Sequence, residues 1–147
     1  MANPALFDDH RLIIYYKGDI SALLLFAQHQ HGSISFPTPL PTLSTLLKNR
    51  HAPTSNISLH PCLLLNALNQ CLNFDDDLLK IDTDFLEQVE TPNGIITIQL
   101  ARFMLLDPPH KLMQQQNHQL RTLTELRRQS ELEMALLQRA YSKIMES

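Results

Sequence analysis

Residues 91–109 read TPNGIITIQLARFMLLDPP, and this stretch narrows the choice of fold more than any other. Pro92, Asn93 and Gly94 suit a type I turn closed by a left-handed glycine with a bulge. The β-branched run from Ile95 to Ile98 then favours a strand, and Pro108 and Pro109 end the segment. An earlier strand must pair with it, so the spacing predicts a hairpin over residues 79–106. With Thr91 facing Ile95, Val89 pairs with Thr97, Leu86 with Leu100, Phe85 with Ala101, and Asp84 with Arg102.

Arg102 is a charged residue set among the apolar side chains of that strand. Ile96, Ile98 and Leu100 share its face, whereas Phe103 and Leu105 have the opposite parity. Either both faces of the strand are covered, or a bulge near residues 101–103 switches the inward face. Arg102 then sits at the edge of the buried patch, with Asp84 opposite and Asp82 diagonal. A structural ion pair is the simpler role; a guanidinium gripping a carboxylate or phosphate ligand at a cleft mouth is the functional one.

Around the hairpin, RLIIYY at 11–16 is a short apolar run bounded by Lys17-Gly18-Asp19 and reads as a strand. Asp19 is a natural N-cap for a helix over ISALLLFAQHQH, with Gly32 just past its end. Pro37, Pro39 and Pro41 enforce an extended connector, and Thr42 can cap a short helix carrying Leu43, Leu46 and Leu47. The polar residues 49–58 are expected to form a mobile loop. Pro61 fits the first position of a helix, PCLLLNALNQCL, that Asn73 ends. Another is expected over PHKLMQQQNHQL, entered through Asp107-Pro108-Pro109. Thr122–Glu125 and Ser130–Glu133 both read as capping boxes, in which each side chain satisfies the other's backbone amide. After the second, Leu132, Leu136, Leu137, Ala140, Tyr141, Ile144 and Met145 keep the spacing of one apolar stripe.

These elements predict one α+β domain spanning 1–147: a small, mostly antiparallel sheet packed against four to five helices, ending in a long amphipathic C-terminal helix. A chain of 147 residues with 44% hydrophobic and 18% charged residues can build a core without staples. Cys62 and Cys71, nine residues apart on one helix, face opposite sides and lie too far apart to bridge. With no disulfide framework and no apparent leader peptide, a soluble cytoplasmic protein is expected.

Charge and glycine content exclude several functions. Residues 1–110 carry 6 Lys/Arg against 11 Asp/Glu, so nucleic acid is not an expected partner, and no apolar run approaches the roughly 20 residues that span a membrane. Three glycines, Gly18, Gly32 and Gly94, cannot supply a dinucleotide fingerprint, a P-loop or a nucleophile elbow. His29 and His31 would diverge on a helix, and no spacing of the seven histidines matches a metal motif. Asp75–Asp77 lack the spaced ligands of a calcium loop, and Cys62 beside His60 has no third orienting group. No metal, cofactor or catalytic residue is therefore expected.

The leading expectation is a non-enzymatic interaction or accessory module that self-associates or binds a partner helix through Leu132, Leu136, Ala140, Tyr141 and Ile144. The alternative is a protein that binds a small anionic molecule, or an enzyme without familiar motifs. Its pocket would lie near the hairpin, lined by Arg102, Asp84, His110, Tyr15 and Tyr16.

Overall fold

The computed structural model describes Phe7 and residues 9–19, 22–47 and 61–146, apart from the side chains of Pro61, Cys62 and Thr83. The expected loop at 49–58 and His60 lie outside the described residues. The elements run β1 (His10–Lys17), β2 (Leu24–His29), β3 (Thr45–Leu46), α1 (Pro61–Leu72), β4 (Leu79–Thr91), β5 (Gly94–Phe103), α2 (His110–Gln115), β6 (His118–Arg121) and α3 (Glu131–Glu146). Six strands form one sheet in the order β3-β4-β5-β1-β2-β6, and Phe36 adds an isolated antiparallel bridge to Leu12.

Three helices, rather than four to five, are present among the described residues. The sheet is mixed, because β1 runs parallel to β5 from the His10–Thr97 pair to the Tyr15–Arg102 pair. The helix expected over residues 20–31 is replaced by β2, which lies between β1 and β6. Leu24 and Phe26 enter one core, and Leu25 and Ala27 the other. A strand covered on both faces carries a continuous apolar run, which periodicity cannot distinguish from a buried helix. The short helix expected after Thr42 is also absent: Leu43 takes a left-handed φ of 64°, and β3 follows. Of the helix expected over residues 109–120, only α2 forms before the chain turns at Asn117 (φ 62°) into β6.

Two apolar cores hold the sheet between helical layers. On one face, Leu12, Ile14, Tyr16, Ala101 and Phe103 pack with Leu64, Ala67, Leu68 and Leu72 of α1 and Met113 of α2. On the other, Ile13, Phe26, Ile98 and Leu100 pack with Leu136, Leu137, Ala140 and Ile144 of α3. Burying each large aliphatic or aromatic side chain contributes about 1.5–3 kcal/mol. Helix α1 ends as its sequence requires: Asn73 adopts φ 55°, and the Phe74 amide donates back to the Asn69 carbonyl at 2.9 Å.

The hairpin forms with a different register. Thr91 pairs with Gly94 across a two-residue turn, and Arg102 faces Lys80 rather than Asp84. The irregularity lies in β4, not near residues 101–103: β4 advances from Asp82 to Glu87 while β5 moves only from Leu100 to Ile98. This slip exchanges the faces of β4, so Leu79 and Ile81 join the α1 core while Phe85 and Val89 join the α3 core. At β5 both faces are covered, as one of the two sequence alternatives required.

Candidate functional site

The slip and the parallel β5–β1 pair together shape a cleft on the α3 side of the sheet. Alternation along β1 directs Tyr15 and Lys17 to that side, and the cross-strand pairs place Arg102 beside Tyr15 and opposite Lys80. Tyr15, Lys17, Lys80, Asp82, Asp84 and Arg102 line an opening of ≈ 360 Å³, with Ile144 of α3 contributing to its wall. The Lys17 ammonium approaches the Ile144 carbonyl at 3.5 Å, placing a cation near the C-terminus of α3.

Arg102 is held from one side. Its Nη2 donates to the Lys17 carbonyl at 3.1 Å and to Asp19 Oδ1 at 3.0 Å. Asp19, expected to cap a helix, instead pairs with the guanidinium across the β1 end; its side chain is 71% exposed, against 33% for Arg102. The buried Arg102 Nε has no hydrogen-bond partner among the described residues. Burial raises the pKa of Tyr15, the Arg102 guanidinium opposes that rise, and Asp82 adds to it. The Tyr15 hydroxyl thus remains a neutral donor within electrostatic reach of both charged groups.

Of the five residues expected to bind a ligand, the structure brings Tyr15, Asp84 and Arg102 to this cleft. Tyr16 points into the opposite core and donates its hydroxyl to the Leu106 carbonyl, and His110 is exposed at the start of α2. Sequence reasoning did not place Lys17 or Lys80 in the site. The alternation of Tyr15 and Lys17 along β1 was a usable signal, but the β1–β5 pairing that brings it to Arg102 was not. The apolar stripe of α3 turns inward: Leu136, Ala140 and Ile144 are buried, Leu132 is partly so, and Tyr141 stays exposed.

A wider groove of ≈ 620 Å³ lies beside the N-terminus of α3, but its central polar groups already satisfy one another. Ser130 Oγ accepts from the Glu133 amide at 3.2 Å, as a capping box requires. The Glu133 carboxylate does not reach back; it accepts from Ser33 Oγ at 2.7 Å and Gln129 Nε2 at 2.6 Å. The reciprocal box forms instead at Thr122–Glu125, where both amides find the opposite side chain. Those hydrogen bonds from Thr122 hold the Glu125 carboxyl below the usual range.

The histidines expected on a helix end form a stack at the end of β2. His29 lies between His31, at 4.6 Å between ring centroids, and Phe36, at 4.0 Å, with the edge of His118 at 4.8 Å. His29 Nε2 donates to the Ser35 carbonyl at 2.8 Å, and burial lowers its pKa to about 4. Burial lowers that of His118 too, and its buried Nδ1 has no partner among the described residues. His29 is buried, His118 is partly buried, and His31 is exposed. The near-parallel His29 and His31 rings do not converge on one point, and no metal-holding group of three was found among the described residues.

Among the described residues no helix is long and apolar enough to cross a membrane. No protein-family profile matches the chain, and no curated protein is significantly similar to it.

Proposed function

We propose that this chain is a small-molecule binding protein that takes an anionic group on Arg102 in the cleft between β1, β4, β5 and α3. The observation that carries the reading is the row of three cations, Lys80, Arg102 and Lys17, on three adjacent strands facing one opening. Like charges directly opposite one another, such as Lys80 and Arg102, destabilise a strand pair, and a bound anion reverses that cost. The Tyr15 hydroxyl adds a directed donor. The cleft holds groups that bind and orient, so the function proposed is recognition rather than turnover.

Thermal melting with a panel of small carboxylates and inorganic phosphate tests this. A ligand raises the melting temperature by mass action, and Arg102→Met removes the rise. That substitution costs under about 1 kcal/mol by itself, because the Asp19 partner is exposed. No stabilisation by any anion, or full stabilisation retained in Arg102→Met, would overturn the reading.

The interaction module remains a second reading because Met104, Leu105 and Leu106 are consecutive exposed apolar residues beyond β5, Leu106 being 86% exposed. The patch fits an apolar protein partner. Native mass spectrometry of gently purified protein reports that partner or a second copy directly; a monomer with nothing retained argues against it.

A further inference from the structure

We infer that the ligand of the Arg102 cleft is a small zwitterion, an ammonium carboxylate of amino-acid size, with its carboxylate on Arg102 and Lys80 and its ammonium on Asp82 and Asp84. This rests on the binding role proposed for the cleft and adds a second charge to the ligand.

A site built for a simple anion gathers cations and excludes carboxylates. Here β4 presents Lys80, Asp82 and Asp84 to one opening, so positive and negative groups line the same short wall. With Asp19 at the Arg102 guanidinium, three carboxylates face three cations around the cleft. A monoanion gains at Arg102 and loses at Asp82 and Asp84, whereas a ligand of both signs gains at each.

The groups available for binding also carry both signs. The Lys80 ammonium and the Asp84 carboxylate have no hydrogen-bond or ion-pair partner among the described residues. Asp82 Oδ1 accepts from the Asp84 amide at 2.9 Å, which leaves Asp82 its second oxygen. Arg102 spends Nη2 on Lys17 and Asp19, which leaves Nη1 to donate.

Spacing limits the ligand. Lys80 faces Arg102 and Asp82 faces Leu100, so Asp82 is the diagonal neighbour of Arg102, about 7–8 Å away between Cα atoms. Side chains at that separation meet a ligand whose two charges lie a few bonds apart. Tyr15 is the cross-strand partner of Arg102 on β1 and lines the same opening as Asp82, so an aromatic wall stands beside both ends. The ≈ 360 Å³ opening is at the small end of the roughly 300–1,000 Å³ that ligand sites occupy.

Three compounds of matched skeleton separate the charges: 4-aminobutyrate, butyrate and butylamine. Each is titrated into the ¹⁵N-labelled chain, following the amides of Tyr15, Lys80, Asp82 and Arg102. Because each charge-assisted contact adds affinity, 4-aminobutyrate is expected to saturate those shifts at about tenfold lower concentration than either relative. Asp82→Asn abolishes its advantage over butyrate, and Arg102→Met abolishes both responses. Butyrate binding as well as 4-aminobutyrate overturns the zwitterion and leaves the anionic-ligand reading standing. Butylamine binding as well as 4-aminobutyrate, or no saturable shift with any of the three, overturns both.

Discussion

Acidification from pH 7 to pH 4.5 is expected to loosen this fold through His29. In the unfolded chain an imidazole titrates near 6.5; in the fold, burial brings His29 down to about 4. Between those values the unfolded chain binds the proton that the folded chain refuses. Stability is therefore complete above pH 6.5 and is lost as pH falls toward 4. At about 1.4 kcal/mol per pH unit, the gap corresponds to about 3 kcal/mol, and screening at the exposed His31 end of the stack reduces this to about 2 kcal/mol. The assay is urea unfolding of the native chain and His29→Phe at both pH values. Phenylalanine keeps the stacked shape and cannot titrate, but it leaves the Ser35 carbonyl without its donor, so the variant starts about 1 kcal/mol lower at pH 7. Its further loss on acidification is expected to be smaller than that of the native chain by about 2 kcal/mol. Equal losses in the two proteins, or an NMR titration of His29 near 6.5, would refute the argument.

Other perturbations follow from the same contacts. Phe26→Ala empties a fully buried position on β2 and is expected to cost about 3–5 kcal/mol in chemical denaturation. Glu133→Ala leaves the Ser33 hydroxyl and the Gln129 amide without their shared acceptor, a loss of about 2–3 kcal/mol that Glu133→Gln should partly restore. Leu43 holds φ 64° and is 86% exposed as a residue, so Leu43→Gly is expected to raise the melting point, relieving strain of about 1 kcal/mol.

How much of this was legible depended on whether the determinant was local. The strand at 11–16, the helix opened by Pro61 and stopped at Asn73, the hairpin, and the amphipathic helix capped by Ser130 each carry their own signals, and each formed. The β2 strand carries none, because Leu24–Ala27 owe their strand form to partners on either side and to two cores. The parallel pairing of β1 with β5 joins segments some 87 positions apart, and nothing local encodes it. The site shows the same division. Arg102 stood out as a charge in an apolar strand, but its partner was read from a hairpin register that a slip in β4 displaced. Asp84 nevertheless lines the cleft, because the slip carries it to the rim rather than opposite Arg102.

That slip also bears on the exposed edge of the sheet. β3 and the Leu47 amide that follows it cover the outer side of β4 from Gln88 to Glu90, and β4 before Gln88 has no strand neighbour on that side among the described residues. A long, straight, apolar edge would recruit the edge of another copy and begin an open-ended stack. Here the exposed stretch kinks between Asp82 and Glu87 and carries Lys80, Asp82, Asp84 and Glu87. An incoming strand would meet a broken ladder and would have to bury exposed charge, so the irregularity that shapes the cleft also disfavours edge-to-edge pairing.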